Sequence, residues 1–297
     1  MPLHLPFGLR DGRLHSITEV KRGRACGCIC PACREPLVAK KGRHYAHHFA
    51  HLRGGACAYG LETALHLKAK EIFEKARCIA VPPVYLHRQQ KALFPAQLIR
   101  FDKVKVEHHL GGAIPDLILE SGPKRLLLEI GVTHPVPEQK AWRLRQLGIS
   151  ALEVDVIPLV RSLNLEFNDP GFGHALGHGL VHGLACKRWL FHTKKQKVEY
   201  RLRQEAAVRP VRHRYFKGYH SYIVADCPLH KRRWRSGFRE GQSYALLWQD
   251  CLYCPRCLEV AYSMETVGFR ATPQEPREVR CWGHLPLPQA PGWAGSV

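Results

Sequence analysis

Cysteine and histidine residues near the start of the chain are spaced as metal ligands. The segment Cys30-Pro-Ala-Cys33 is a Cys-x-x-Cys turn, which supplies two thiolates to one tetrahedral zinc ion. Two further ligands must come from later in the chain. His48 and His51, with Cys57 as the alternative, complete the predicted set. The pattern therefore predicts a structural zinc site.

This cluster holds more candidate ligands than one ion needs. The residues in excess of four are Cys26, Cys28, His44, His47 and Cys57. The basic stretch between the two ligand pairs predicts a β-hairpin that turns at Gly42.

A second cysteine cluster lies near the end of the chain, and its spacing is typical of a zinc ribbon. Its candidate ligands are Cys227, His230, Cys251, Cys254 and Cys257, with Cys281 as the alternative. The second knuckle is either Cys251 with Cys254 or Cys254 with Cys257. We expect two structural zinc ions in all.

Two carboxylates interrupt apolar segments in the middle of the chain. Asp116 lies within Ile114-Pro-Asp-Leu-Ile-Leu, and Glu129 lies within Leu126-Leu-Leu-Glu-Ile. A buried charge costs several kcal/mol unless it is paired or bound to a metal. Because Mg²⁺ prefers hard oxygen ligands and needs only one or two carboxylates besides a phosphate, we predict a Mg²⁺ or Mn²⁺ site at this pair.

The surrounding segments alternate between helical and strand periodicity, which predicts a mixed α/β sheet flanked by helices. On the first helix, Glu62 and His66 share a face. The predicted elements are a helix at 61–73, strands at 81–84 and 104–108, a hairpin at 113–134 that turns at 121–124, a basic helix at 138–148 and a strand at 152–156.

From about Cys30 to Val156 the chain resembles the CoiA-like competence proteins, a branch of the PD-(D/E)XK superfamily with the restriction-endonuclease-like fold. The residues that carry the resemblance are Cys30, Cys33, His48-Phe-Ala-His51, Glu62, His66, Lys70, Pro115-Asp116 and Glu129. The resemblance implies that Asp116 and Glu129 hold the metal that activates water for attack on a phosphodiester, with Glu62 as a third acidic ligand.

The chain departs from the family pattern at one catalytic position. Gly131 stands where the family has a lysine, two residues after Glu129. Lys140, on the following helix, is the first candidate to take the place of that lysine, and His134 is the second.

The charge of the chain favours a polyanionic partner. Lysine and arginine number 45 against 25 aspartates and glutamates, a net charge of +20. Such a surface attracts nucleic acid in a salt-dependent way, and the resemblance favours DNA. Cations next to aromatic residues predict contacts with a strand; the candidates are Lys187, Arg188, Arg232, Arg233 and Trp234.

Three histidines, His174, His178 and His182, share one face at helical spacing, but their segment is rich in glycine. We interpret it as a loop followed by a helix rather than as a third metal site.

The beginning of the chain lacks the pattern of a signal peptide, and no apolar run reaches the roughly 20 residues that a membrane span needs. We therefore expect a cytoplasmic protein with no membrane partner, in which reduced cysteines bind metal.

The predicted organisation has five parts. They are an N-terminal zinc knuckle at 1–57, a nuclease-like core at 58–160, a basic helical linker at 161–220, a zinc-ribbon-like module at 221–285 and a flexible tail at 286–297. The predicted function is metal-dependent hydrolysis of DNA. The alternative, which Gly131 favours, is a catalytically inactive nucleic-acid-binding subunit of a DNA-processing, mobile-element or defence complex, with a protein partner. The oligomeric state is open.

Overall fold

The computed structural model describes residues 4–43, 46–54, 57–167, 169, 171–216, 218–267 and 270–288. The described chain divides into two compact units. The first unit comprises residues 4–82 and 96–193, and the second comprises residues 83–95 and 194–288, each without the gaps just given.

The first unit begins with two short antiparallel hairpins. Their strands are β1 (Phe7–Arg10), β2 (Arg13–Ser16), β3 (Leu37–Lys40) and β4 (His48–His51). Two 3-10 turns, Ile17–Glu19 and Arg24–Cys26, lie between the hairpins. The pairing of β3 with β4 confirms the hairpin predicted around Gly42.

Helix α1 (Gly60–Ala76) follows and confirms the first predicted helix. It forms because apolar residues recur on one face, where Leu65, Ala69 and Phe73 are fully buried at four-residue spacing. The helix ends where Arg77 adopts a left-handed backbone, with φ of 52°. A small antiparallel pair comes next, β5 (Cys78–Val81) and β6 (Gln97–Arg100). The strand predicted at 81–84 ends at Val81 because Pro82 and Pro83 follow.

A five-stranded mixed sheet carries the middle of the chain. Its strands are β7 (Lys103–Val106), β8 (Leu117–Ser121), β9 (Lys124–Gly131), β10 (Ala151–Asp155) and β11 (Lys187–Phe191). The order is β11-β10-β9-β8-β7, and only β9 and β10 are parallel, with α2 (Glu138–Gln146) between them in the chain. Gly122, with φ of 54°, provides the left-handed backbone of the turn between β8 and β9. The mixed α/β class is confirmed.

Helices α3 (Val156–Ser162) and α4 (Phe172–His182) pack with α1. Helix α4 contains all three histidines of the glycine-rich segment. The segment was expected to begin as a loop, but from Phe172 it is helical. The rings of His178 and His182 lie 4.9 Å apart. Among the described residues, these histidines belong to no group of three converging ligands.

The second unit consists of α5 (Thr193–Glu205) and a six-stranded antiparallel sheet. Its strands are β12 (Ala207–Phe216), β13 (Tyr219–Ala225), β14 (Arg232–Arg233), β15 (Ser243–Leu246), β16 (Cys257–Val267) and β17 (Arg270–Cys281), in the order β14-β15-β13-β12-β17-β16. A π-helical turn, Leu247–Cys251, follows β15.

The units differ from the predicted segmentation. The first unit extends to residue 193 because β11 pairs with β10 at the edge of the central sheet. The predicted helical linker at 161–220 therefore contains strands β11 and β12 besides helices. Of the predicted tail, residues 289–297 lie outside the described residues. None of the described helices is both long and apolar enough to cross a membrane.

Candidate functional site

Four side chains in the first unit converge as a candidate metal centre. Cys30, Cys33, His51 and Cys57 bring one ligand atom each within 4.8 Å of one another. Cys30 is buried and Cys33 is exposed, and the Cys33 Sγ lies 3.2 Å from His51 Nε2. Three thiols and one imidazole are a ligand set that zinc takes in structural sites. This Cys3His cluster could bind zinc.

The backbone of the Cys-x-x-Cys turn directs N–H groups at both sulfurs. Burial raises the pKa of the Cys30 thiol to about 11, against the lowering effect of the backbone N–H groups of Cys33 and Ala32. The backbone N–H of Glu35 lowers the pKa of Cys33. Such donors stabilise thiolates, which are the form that binds a metal.

The structure brings Cys57 into this group in place of His48. Successive side chains of a strand point to opposite faces, so His48 and His51, three residues apart on β4, cannot share a face. His48 instead stacks on His4, with ring centroids 4.3 Å apart. Expecting His48 as a ligand was therefore wrong, and Cys57, the alternative, is the fourth member of the group.

The surplus ligands near the turn have other contacts. The Cys26 thiol donates to the carbonyl of Leu37 at 3.3 Å, and the Cys28 thiol donates to the carbonyl of Cys26 at 3.4 Å. His47 contacts the carbonyl of Gly42 at 3.2 Å. His44 lies outside the described residues.

Asp116 and Glu129 lie side by side at one end of the hairpin formed by β8 and β9. Asp116 directly precedes β8, and the pairing of Leu117 with Leu128 makes Asp116 and Glu129 cross-strand neighbours. Asp116 Oδ2 accepts a hydrogen bond from the backbone N–H of Ile130 at 2.8 Å. This bond fixes the aspartate against the strand that carries the glutamate.

The two carboxyl groups are shifted in opposite directions. Burial, and then the negative charge of Asp116, raise the pKa of Glu129 to about 7. The pKa of Asp116 is lowered, because the hydrogen bond and charge of His66, the N–H of Ile130 and the charge of Lys140 outweigh its burial. Titrating groups whose environments separate their pKa values are typical of functional sites.

One oxygen of this pair has no hydrogen-bond partner among the described residues, although it is buried. It is Oε1 of Glu129, whose side chain is 2% exposed. An unpaired buried carboxylate oxygen costs free energy that a bound cation would offset. The pair therefore fits a divalent ion held by Asp116 and Glu129.

Lys140 reaches the acidic pair from helix α2. Its Nζ lies 2.5 Å from Glu129 Oε2 and 3.9 Å from Asp116 Oδ1. Position 131 is crowded: a Cβ there would lie 3.1 Å from Glu153 Oε1 and 3.2 Å from the carbonyl oxygen of His134, so a neighbour would have to shift by a few tenths of an ångström. A lysine cation thus lies at the two carboxylates, although position 131 holds glycine.

The remaining predicted catalytic residues form a separate contact chain. Thr133 donates to Glu62 Oε2 at 2.8 Å, and the Thr133 Oγ1 lies 2.9 Å from His134 Nδ1. Among the described residues, only the Cys3His cluster brings three or more ligand atoms within 4.8 Å of one another. Glu62, Asp116 and Glu129 therefore do not form such a group. The roles of Glu62 and His134 as ligand and substitute for the lysine stay predictions.

Two residues at the site had been given no predicted catalytic or metal-binding role. His66 Nε2 lies 3.1 Å from Asp116 Oδ2, and the four-residue spacing from Glu62 to His66 on α1 was the signal that could have found it. Glu153, on β10 opposite Glu129, is buried and accepts a hydrogen bond from the backbone N–H of Val136 at 2.7 Å. A single acidic residue within Leu152-Glu-Val gave no such signal.

The cysteines of the second cluster share one buried region of the second unit. They are Cys227, Cys251, Cys254, Cys257 and Cys281. No three of the sulfurs of these described cysteines lie within 4.8 Å of one another. Burial, and then the other cysteines of the cluster, raise the pKa of Cys251 to about 12. His230 is exposed and is not among the described residues that line the space between these cysteines.

The predicted nucleic-acid contacts differ in accessibility. Lys187 is buried, and its Nζ donates to the carbonyls of Ala80 at 2.9 Å and Val181 at 3.0 Å, so the expected contact of this lysine with a nucleic acid was wrong. Arg188 is exposed and pairs with Glu153.

The three predicted contacts in the second unit also have neighbours. Arg232 pairs with Asp250 at 2.6 Å. Arg233 is exposed on β14, and Trp234 stacks on Tyr244 with ring centroids 4.4 Å apart. The exposed Arg233 is therefore the member of this set best placed to meet a ligand.

Comparison with known families returns one match. Residues 13–60 match the family model described as Competence protein CoiA, N-terminal domain. This segment is well under half of the 297-residue chain, and it contains all four members of the Cys3His cluster. No curated protein and no solved structure matches the chain.

Proposed function

We propose that this chain is a CoiA-like protein with a restriction-endonuclease-like core that hydrolyses phosphodiester bonds of DNA with a divalent cation. The observation that carries the proposal is the convergence of Asp116, Glu129 and Lys140. In this group, Oε1 of Glu129 is buried and has no hydrogen-bond partner among the described residues. The family match at 13–60 supports the relationship to CoiA proteins, and the mixed sheet flanked by helices supports the fold.

Asp116 and Glu129 are the residues that would hold the cation. Bound Mg²⁺ or Mn²⁺ lowers the pKa of a water ligand and offsets charge on the phosphate. Asp116 is fixed for this role by His66 and by the N–H of Ile130. Its lowered pKa keeps it ionised at neutral pH.

Lys140 supplies a positive charge at the carboxylates. In the absence of substrate this charge is offset by Glu129. When a phosphate is present, the same cation can orient the attacking water or stabilise the charge that develops on the phosphate. The net charge of +20 favours association with the DNA backbone.

The test is cleavage of supercoiled plasmid and of single-stranded DNA by the full-length chain, with Mg²⁺ or Mn²⁺ and with chelator. We expect metal-dependent cleavage that Asp116→Asn and Glu129→Gln abolish. Glu120→Gln is the matched control, because Glu120 lies at the other end of the same hairpin and pairs with Lys105. Cleavage that survives both site substitutions would exclude this site.

A second candidate function rests on Gly131. If Lys140 does not replace the missing lysine, the chain is an inactive DNA-binding subunit. It would then bind DNA in a salt-sensitive way and cleave neither substrate with either cation. A chain that neither cleaves nor binds DNA would contradict both functions.

A further inference from the structure

Five cysteines of the second unit surround one small cavity. The cavity measures about 20 Å³, and a water-sized body fits a space of this size. The cysteines come from separate segments: Cys227 follows β13, Cys251 ends the π-helical turn, Cys254 lies in the next turn, Cys257 begins β16 and Cys281 ends β17. Each is 7–8% exposed, and none forms a disulfide.

These thiols make up most of a small core. Among the residues whose burial is described, the other buried members of this core are Val224, Ala245, Leu247 and Val279, with Val211, Tyr222, Leu229 and Val260 packed partly buried against it. Buried cysteine packs as a small apolar residue, but four fully buried hydrocarbon side chains are few for a six-stranded sheet. A metal ion bound by thiolates supplies folding free energy directly, and small modules use one where the apolar core is limited.

Local geometry at two of the segments matches that of metal ligands. Cys254-Pro-Arg-Cys257 repeats the Cys-Pro-x-Cys pattern of Cys30 and Cys33 in the first unit. The Cys281 Sγ accepts a hydrogen bond from the backbone N–H of Gly283 at 3.2 Å.

The surroundings of this contact are crowded at position 283. A Cβ on Gly283 would lie 2.8 Å from Pro228 Cγ and 3.3 Å from the Cys281 Sγ. A larger residue would therefore require Pro228 or the backbone at 283 to shift.

We propose that Cys227, Cys254, Cys257 and Cys281 bind a second zinc ion in this cavity. Cys257 and Cys281 lie directly opposite each other on β16 and β17, so the paired strands hold both near the cavity. Because no three of these sulfurs lie within 4.8 Å of one another, binding requires the side chains to rotate about their Cα–Cβ bonds. The exposed His230 takes no part. Cys251 stays a buried thiol beside the site.

The experiment measures the zinc content of the purified full-length chain by inductively coupled plasma mass spectrometry. Its result does not depend on any nuclease activity. We expect two zinc ions per chain, one in Cys30→Ser and none in the chain with both Cys30→Ser and Cys281→Ser. Cys251→Ser and His230→Ala are matched controls that keep both ions, because they alter a thiol and an imidazole outside the proposed ligand set.

A cobalt spectrum covers the case in which Cys281→Ser fails to fold. In the Cys30→Ser chain, whose second unit is intact, bound Co²⁺ should give the visible bands of a tetrahedral four-thiolate site. One zinc in the unaltered chain with none in Cys30→Ser would overturn the proposal. So would a disulfide among the five cysteines in freshly purified protein. Loss of an ion in Cys251→Ser with retention in Cys257→Ser would overturn the ligand assignment.

Discussion

Lys140 Nζ lies 2.5 Å from Glu129 Oε2, although Glu129 belongs to β9 and Lys140 to the helix that follows it. Glu129 lies on a strand that is buried along most of its length, whereas the Lys140 side chain is one-third exposed. The lysine cation can therefore face both the carboxylate and a ligand arriving from solvent. Lys140 thus supplies a cation at the carboxylates, and position 131 holds glycine.

Replacing this lysine tests whether its charge is needed for catalysis. We expect Lys140→Met to lower the cleavage rate by about 10²-fold or more while DNA binding changes little, because a preorganised cation acts mainly on the transition state. Lys75→Met is the charge-matched control, since Lys75 is exposed on α1 and pairs with Glu71. Equal loss of cleavage in both variants would show that only the overall charge matters.

Introducing a side chain at position 131, including the lysine that the resemblance implies, should not improve stability or cleavage. We expect Gly131→Ala to lower the free energy of unfolding by roughly 1–3 kcal/mol, because its Cβ would crowd Glu153 Oε1, which already accepts the N–H of Val136. Gly131→Lys should be at least as unstable and should not raise the cleavage rate.

A glycine with free space around it provides the control for this substitution. Gly177 lies in helix α4, and a Cβ at this position would meet no neighbouring heavy atom of the described residues within 4 Å. Gly177→Ala should therefore stabilise the chain by roughly 0.5–1 kcal/mol. Denaturant unfolding measures both changes. Stabilisation by Gly131→Ala would contradict the steric reason given for glycine at 131.

Zinc binding by the Cys3His cluster can be tested by comparing two histidines of one strand. We expect His51→Ala and Cys57→Ser each to lose the zinc ion of the first unit, because both side chains reach the Cys30 and Cys33 sulfurs. His48→Ala should keep it, because His48 lies on the other face of β4. Zinc content of the purified variants is the measurement, and loss of zinc from His48→Ala alone would reverse the assignment.

Local patterns predicted the elements and the acidic pair, because their information lies within short segments. The helical spacing of Leu61, Leu65, Ile72 and Phe73 indicated α1, and the charges at Asp116 and Glu129 stood out against apolar neighbours. Residues brought together from distant segments were harder to find. The four-residue spacing from Glu62 to His66 placed both on one face of α1, but the contact of His66 with Asp116 also depends on how α1 packs against the sheet.

Two errors have a similar physical origin. The spacing from His51 favoured His48 as a ligand, but spacing gives a face only when the element is known, and a strand alternates its faces. The neighbouring cations and aromatics favoured an exposed Lys187, but β11 is a strand of the central sheet, where this side chain points inward to two carbonyls. The positive charge of Lys187 therefore did not indicate whether its side chain is exposed or buried.

Buried Lys187 gives the chain a specific dependence of stability on pH. Burial lowers the pKa of Lys187 from 10.5 to about 8. Between these values the unfolded chain binds more protons than the folded chain, so this lysine's contribution to the free energy of unfolding rises as pH increases from about 8 to 10.5. The total rise should be on the order of 2–3 kcal/mol.

Denaturant unfolding across this pH window, for the unaltered chain and for Lys187→Met, measures the effect. The variant should lack the rise, whereas Lys103→Met should keep it, because Lys103 is exposed at the start of β7. At neutral pH, Lys187→Met loses two hydrogen bonds to carbonyls but also removes the cost of a buried charge, so its net stability should change little there. The same slope in Lys187→Met as in the unaltered chain would mean that the ammonium group is hydrated in the folded state.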